Sequence, residues 1–139
     1  MTFNKLLTFI ISVLLLCACQ QEVDPTIENI NAIFQTKDFS IEFIVEENRS
    51  HRLSFRDDFM SYFSNAATQR KTISYHEAAL VNTFVQNKFS KQDTTISATQ
   101  QLLIYNDTKK VILNVPDYEQ ELKVLLEQLK LNYVPTQKK

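Results

Sequence analysis

Glycine is absent from all 139 residues, where average usage of about 7% would supply roughly ten. That absence excludes the G-x-G-x-x-G dinucleotide fingerprint, the phosphate-binding loop and the G-x-S-x-G nucleophile turn. Each needs a residue that tolerates positive φ or lets another backbone approach closely. Tight turns must therefore fall to Asn and Asp, the next most tolerant of left-handed geometry. Cysteine is nearly as scarce, confined to Cys17 and Cys19. Beyond residue 19 there is no thiol nucleophile, disulfide or thiolate metal ligand, so packing alone must hold the chain together. Histidine is limited to His51 and His76, whereas zinc ordinarily takes three or four protein ligands. No charge of one sign accumulates either. The formal net charge is −1, and the only adjacent basic pairs are Arg70-Lys71, Lys109-Lys110 and Lys138-Lys139. Without a basic stripe to meet a phosphate backbone, no nucleic-acid partner is expected.

What the chain does have begins at its front. Met1 to Lys5 carries one positive charge, and Leu6 to Leu16 (LLTFIISVLLL) is apolar except for Thr8 and Ser12. A bilayer-spanning helix needs about 17 to 25 apolar residues, so this run is too short to span. A charged leader, a short apolar stretch and small residues at its exit describe a secretory signal. The exit reads Leu16-Cys17-Ala18-Cys19: a branched apolar residue, a tolerant position, a small residue and a cysteine. This resembles the lipobox of bacterial lipoproteins, with Cys17 the weaker candidate because bulky Leu16 precedes it.

The resemblance implies cleavage between Ala18 and Cys19, and a diacylglyceryl group with an N-acyl chain such as palmitate on Cys19. No other cofactor is expected. Two or three acyl chains, at about 0.8 kcal/mol per buried CH₂, hold a protein stably on a membrane. Gln20 in place of aspartate after the cysteine implies the outer membrane, facing the periplasm.

Removing the first eighteen residues leaves 121, enough for one domain with a real core. The expected organisation is a removed signal over 1–18, the lipidated cysteine and a short tether over 19–24, a globular domain over 25–134 and a disordered tail over 135–139. Asp24-Pro25 reads as a helix start, with Ile27, Ile30, Ile33 and Phe34 striping a helix over 25–35. Phe39 to Glu46 and His51 to Arg56 alternate as a hairpin. A loop at Asn48-Arg49-Ser50 would pair Val45 with Leu53 and Phe43 with Phe55, leaving one wet face.

Asp57-Asp58 reads as the start of a helix carrying Phe59, Tyr62, Phe63 and Ala66. Ser74-Tyr75-His76-Glu77 is a capping box ahead of a helix over 75–89, expected to be the most buried. Thr94 to Tyr105 and Lys110 to Val115 form a second hairpin pairing Ile104 with Val111 and Leu102 with Leu113. It is apolar on both faces and so expected inside the sheet. Asp117 caps a final helix through Leu122, Leu125, Leu126 and Leu129. The fold class expected is α+β: one small domain of about four antiparallel strands in two hairpins, with about four helices packed on the sheet. The stretches 39–68 and 96–131 look loosely alike as hairpin-then-helix.

Candidate chemistry is sparse. His51 begins a strand and could act with Ser50 or a nearby acid such as Asp57, as in a small envelope hydrolase. His76 lies in the first turn of a capped helix, where solvation accounts for it. Glu46-Glu47 would point to opposite faces of a strand, and Asp57-Asp58 has a sufficient role at a helix start. Phe59, Met60, Tyr62 and Phe63 are the densest aromatic cluster, read as core or as a patch for a protein or lipid partner. The function expected is a non-catalytic binding or accessory protein of the envelope, immunity- or inhibitor-like or an assembly accessory. Its partners would be the membrane through the lipid anchor and another envelope protein. A purely structural lipoprotein is the third reading.

Overall fold

The computed structural model describes residues 19–46, 49–93, 100–116 and 118–135. The expected signal with Ala18, Glu47 and Asn48 of the expected loop, residues 94–99 of the expected second hairpin, the expected cap residue Asp117 and residues 136–139 of the expected tail lie outside the described residues. The elements in chain order are β1 (Gln21–Glu22), α1 (Ile27–Gln35), β2 (Phe39–Glu46), β3 (Arg49–Arg56), β4 (Phe59–Phe63), β5 (Gln69–Thr72), α2 (Tyr75–Ser90), β6 (Gln101–Tyr105), β7 (Lys109–Asn114) and α3 (Glu119–Gln128). The described residues thus hold seven strands and three helices rather than about four of each. They form one mixed sheet in the order β1-β7-β6-β2-β3-β4-β5. Only β1 with β7 is a parallel pair; the others are antiparallel.

The largest correction lies at Phe59–Phe63, expected as a helix and found as a strand. Asp57 takes φ of 50°, so Asp57-Asp58 reverses the chain in two residues and β4 folds back on β3. Phe55 then faces Met60 and Leu53 faces Tyr62. The apolar residues here fit a period of 2 as well as one of 3.6, and the reversal selects 2. Gln69–Thr72, which carries no apolar signal, adds to β4 as the edge strand. Charged residues at an edge discourage pairing with another chain. With Phe59–Phe63 a strand, the suggested repeat of hairpin and helix disappears.

Elsewhere the corrections are smaller. In β2–β3, Phe43 faces His51, Ile41 faces Leu53 and Phe39 faces Phe55, with a bulge between Ile44 and Glu46. The expected register was offset by four residues. An even offset preserves which side chains face the core. The β6–β7 pairs Leu102 with Leu113 and Ile104 with Val111 are those expected, and both strands lie inside the sheet. α1 is capped by Thr26, whose hydroxyl accepts from the Asn29 N–H, instead of by Asp24. The capping box at Ser74 and Glu77 is complete.

α2 is not the most buried helix: only Val81, Val85 and Lys88 are buried along it, whereas α3 buries Leu122, Leu125 and Leu126 with Leu129 just beyond. All three helices pack on one side of the sheet, against Ile41, Phe43, Leu53, Met60, Leu102, Ile104, Val111 and Leu113.

Glycine-free turns rely on side chains. Asn106 Oδ1 accepts from the N–H groups of Thr108 (3.0 Å) and Lys109 (2.8 Å), closing the β6–β7 turn. Its amide donates to Thr36 beyond α1 (3.2 Å), and its carbonyl accepts from Gln20 Nε2 (2.5 Å). Long-range ion pairs do what disulfides cannot. Lys88 is 2% exposed and pairs with Glu121 of α3. Lys71 of β5 donates to Glu77 and to the Leu129 carbonyl (2.9 Å), tying the edge strand to both helices.

These ties and the tight turn set how stability responds to pH and to substitution. The hydrogen bond from Lys71, then that from the Ser74 N–H, pulls the Glu77 carboxyl down to about 2; a hydrogen bond from Lys88 lowers that of Glu121. Both folded values lie below the unfolded ones, so their stabilisation is present above about pH 4.5 and is lost as pH falls through the folded values, for Glu77 about 2. Glu121→Ala strands the buried Lys88 ammonium and is expected to cost on the order of 1–3 kcal/mol in urea denaturation, with Lys88→Met in that background recovering most of it. At Asp57, valine is expected to cost about 1–2 kcal/mol because a Cβ-branched residue resists left-handed backbone. Glycine there should be neutral or stabilising in the same measurement.

Candidate functional site

The front of the described chain is fastened to the sheet. Gln21 donates its N–H to the Thr108 carbonyl and Val23 to that of Lys110, both at 2.9 Å. Residues 21–22 are therefore an edge strand, where free tether was expected. The exposed Cys19 stands two residues before it. Gln21 pairs with Lys109 at the start of β7, which places Cys19 at one end of the sheet. The register puts the end of β6, the start of β2, the turn at Asp57-Asp58 and the end of β5 at that same end.

Strand alternation divides the aromatic cluster. Met60 and Tyr62 are wholly buried in the core, whereas Phe59 and Phe63 stand on the side of the sheet without helices. There the pairing aligns Leu103, Glu42, Arg52 and Phe63 in one row. The next row is Tyr105, Ser40, Ser54, Ser61 and Arg70. The Arg52 guanidinium lies 4.2 Å from the Phe63 ring centre and that of Arg70 lies 4.7 Å from Phe59. Ser40 and Ser54 share a hydrogen bond of 2.7 Å.

The result is a small-residue floor of hydroxyls, with Arg52, Arg56 and Arg70 around it, Glu42 among them, and the carboxylates of Asp38 and Asp107 at the end nearest Cys19. Tyr105 donates to Glu42 at 3.2 Å. A space of about 180 Å³ opens between Ser40, Ser54, Arg56 and Tyr105 and reaches Gln20 beside Cys19. The sequence singled out Phe59 and Phe63 as candidates but gave no sign of Arg52, Arg70 and the serines. Their convergence needs three strand registers that no local pattern encodes.

The buried side holds His51, only 2% exposed. Its Nδ1 lies 2.7 Å from the Tyr62 hydroxyl, and its ring stacks on Tyr133 with centres 5.3 Å apart. Tyr133 donates its own hydroxyl proton to Glu119 at 2.5 Å. Asp57, the acid suggested by sequence, lies six residues along the extended β3 strand, about 20 Å away. The carboxylate that His51 does feel is Glu119 of α3, which partly offsets the lowering of its pKa by burial.

A neutral imidazole closed from solvent is built to fill and tie the core, and cannot reach a substrate as a general base must. His76 is exposed on α2. Among the described residues no group of three or more His, Cys, Asp or Glu could hold a metal ion.

Because folding lowers the pKa of His51, the unfolded chain takes up a proton more readily. The contribution is present above pH 6.5 and is lost as pH falls below it. The melting temperature should therefore decline between pH 7 and pH 5, and His51→Gln should flatten that slope while lowering the value at pH 7.

No known protein family matches this chain, and no curated protein or solved structure is similar to it.

Proposed function

We propose that the chain is a lipoprotein of the cell envelope, anchored through lipid on Cys19 and facing the periplasm from the outer membrane. In this reading its domain is a non-catalytic binding or accessory module for another envelope protein. The observation that carries the binding role is the helix-free sheet face, where Arg52 on Phe63 and Arg70 on Phe59 flank a floor of serines. Arginine and aromatic side chains supply much of the binding energy at protein interfaces, and stacking leaves the guanidinium donors free for carboxylates. An acidic surface patch is the complement.

The fastening of residues 20–23 to the β6–β7 turn supports the same reading. A lipid on Cys19 leaves almost no slack, so one end of the sheet meets the bilayer. The open face then looks sideways, toward neighbouring proteins. Among the described residues no helix is long and apolar enough to cross a membrane, consistent with attachment by lipid. An inhibitor of an envelope-targeted toxin and an assembly accessory both fit. A toxin gene next door favours the first, and co-purification with a stable complex the second.

Photo-crosslinking in living cells tests the proposal, with the reactive residue placed at Phe63 or Arg70 and, as control, at exposed His76. Discrete adducts to one envelope protein are expected from the sheet face only. They should fall about tenfold in an Arg52→Glu, Arg70→Glu double variant and vanish in Cys19→Ser. Equal adducts from His76 would remove the binding face, and an unacylated Cys19 by intact mass would remove the anchor.

A further inference from the structure

A second cavity, of about 290 Å³, opens on the helix side of the sheet, between the start of α2, the end of α1, the start of β2 and the end of β3. Its walls are Phe34, Phe39, Phe55, Ile73, Ala78 and Val81. Phe39 lies between Phe34 and Phe55, with ring centres 4.9 and 4.6 Å away. Phe34, Phe39 and Ile73 are only half-buried and Ala78 is exposed, so this apolar wall stands open to whatever enters. Thr36, Lys37, Asp57, Asp58 and Asn82 complete the lining, and all five are exposed.

Three observations define the occupant. The six apolar walls hold no hydrogen-bonding side chain, and the five polar lining residues all stand exposed at the rim, which leaves the interior apolar. A peptide backbone, with a donor and an acceptor at each residue, would go unsatisfied there, whereas a hydrocarbon chain needs no partner. The charged lining residues Lys37 and Asp57-Asp58 lie at the same end of the sheet as Cys19. On the anchoring proposed above, that end meets the bilayer. The rim offers one ammonium and two carboxylates, which suits a headgroup carrying both signs and repels one that is only anionic. α1 packs over β6 and β7, between the cleft and β1, and so screens it from the protein's own lipid.

We propose that this cleft takes up an acyl chain of a zwitterionic phospholipid from the adjoining membrane. The headgroup then sits among Lys37, Asp57 and Asp58. The protein would hold one bilayer lipid partly withdrawn, and the domain would be seated by that lipid as well as by its anchor.

The test uses the processed full-length protein and its Cys19→Ser counterpart. Each is titrated with phosphatidylethanolamine bearing a cis-parinaroyl chain and, separately, is recovered from phosphatidylethanolamine or phosphatidylglycerol vesicles for native mass spectrometry. Saturable fluorescence is expected from both forms, with one phosphatidylethanolamine retained per chain and no phosphatidylglycerol. Ala78→Phe, which fills the cleft from an exposed helix position, should weaken binding by about tenfold or more. Ala79→Phe, on the same helix but outside the cleft, should leave binding unchanged, with melting curves confirming that both variants fold.

Equal binding by Ala78→Phe and wild type, or no saturable binding by either form, would overturn the assignment. Binding by Cys19→Ser but not by the acylated protein would place the protein's own anchor in the cleft and overturn the choice of lipid. An unacylated Cys19 with intact, Ala78-dependent binding would support the cleft while ending the anchoring reading.

Discussion

The two-residue reversal at Asp57-Asp58 decides the architecture around it. Asp57 takes left-handed backbone, a conformation that usually falls to glycine and that this chain must assign to another residue. Once the chain turns there, Phe59–Phe63 lies against β3, and Met60 and Tyr62 enter the core opposite Phe55 and Leu53. The polar segment Gln69–Thr72 gains a strand to pair with. Had the chain run on as a helix, the sheet would lack β4 and β5, and neither Arg–Phe pair could form.

Without disulfides, the layers are joined by polar groups that reach across long stretches of sequence. Asn106 connects the segment after Cys19 through its main-chain carbonyl, and the end of α1 and a hairpin turn through its side-chain amide. Lys88 joins α2 to α3, and Lys71 joins the edge strand to both. His51, Tyr62 and Tyr133 do the same beneath the far end of the sheet. Each such group is costly to bury alone and inexpensive when satisfied, so these contacts make the native arrangement specific as well as stable. They also explain why the histidine is hidden: it serves the fold.

The two faces of the sheet divide the labour. One is sealed by three helices, except where the cleft at Phe34, Phe39 and Ile73 opens toward the Cys19 end. The other carries arginines, aromatic rings and serines, with no helix above them among the described residues. An anchor fastened within two residues of the sheet edge would give each face a fixed direction relative to a bilayer. A longer, flexible linker would let the domain tumble and lose that distinction.

By itself the sequence determined the local features. Ser74 and Glu77 form their capping box because both partners lie within one helical turn. Leu102 with Leu113 and Ile104 with Val111 pair as read, because a four-residue connection leaves little freedom of register. The alternation in Phe39–Glu46 assigned the core face correctly even though its register was offset by four, since parity survives an even shift. The candidates Cys19, Phe59 and Phe63 were singled out on the same local grounds, each by its immediate neighbours. Only the tertiary structure decided that Phe59–Phe63 is a strand, that Gln69–Thr72 completes the sheet, and that Arg52 and Arg70 flank the serines. It alone gave His51 a tyrosine partner and brought to bear on it the carboxylate of Glu119, 68 positions away. Side chains separated by whole elements meet only after register and layer packing are set, and no short stretch of chain contains that information.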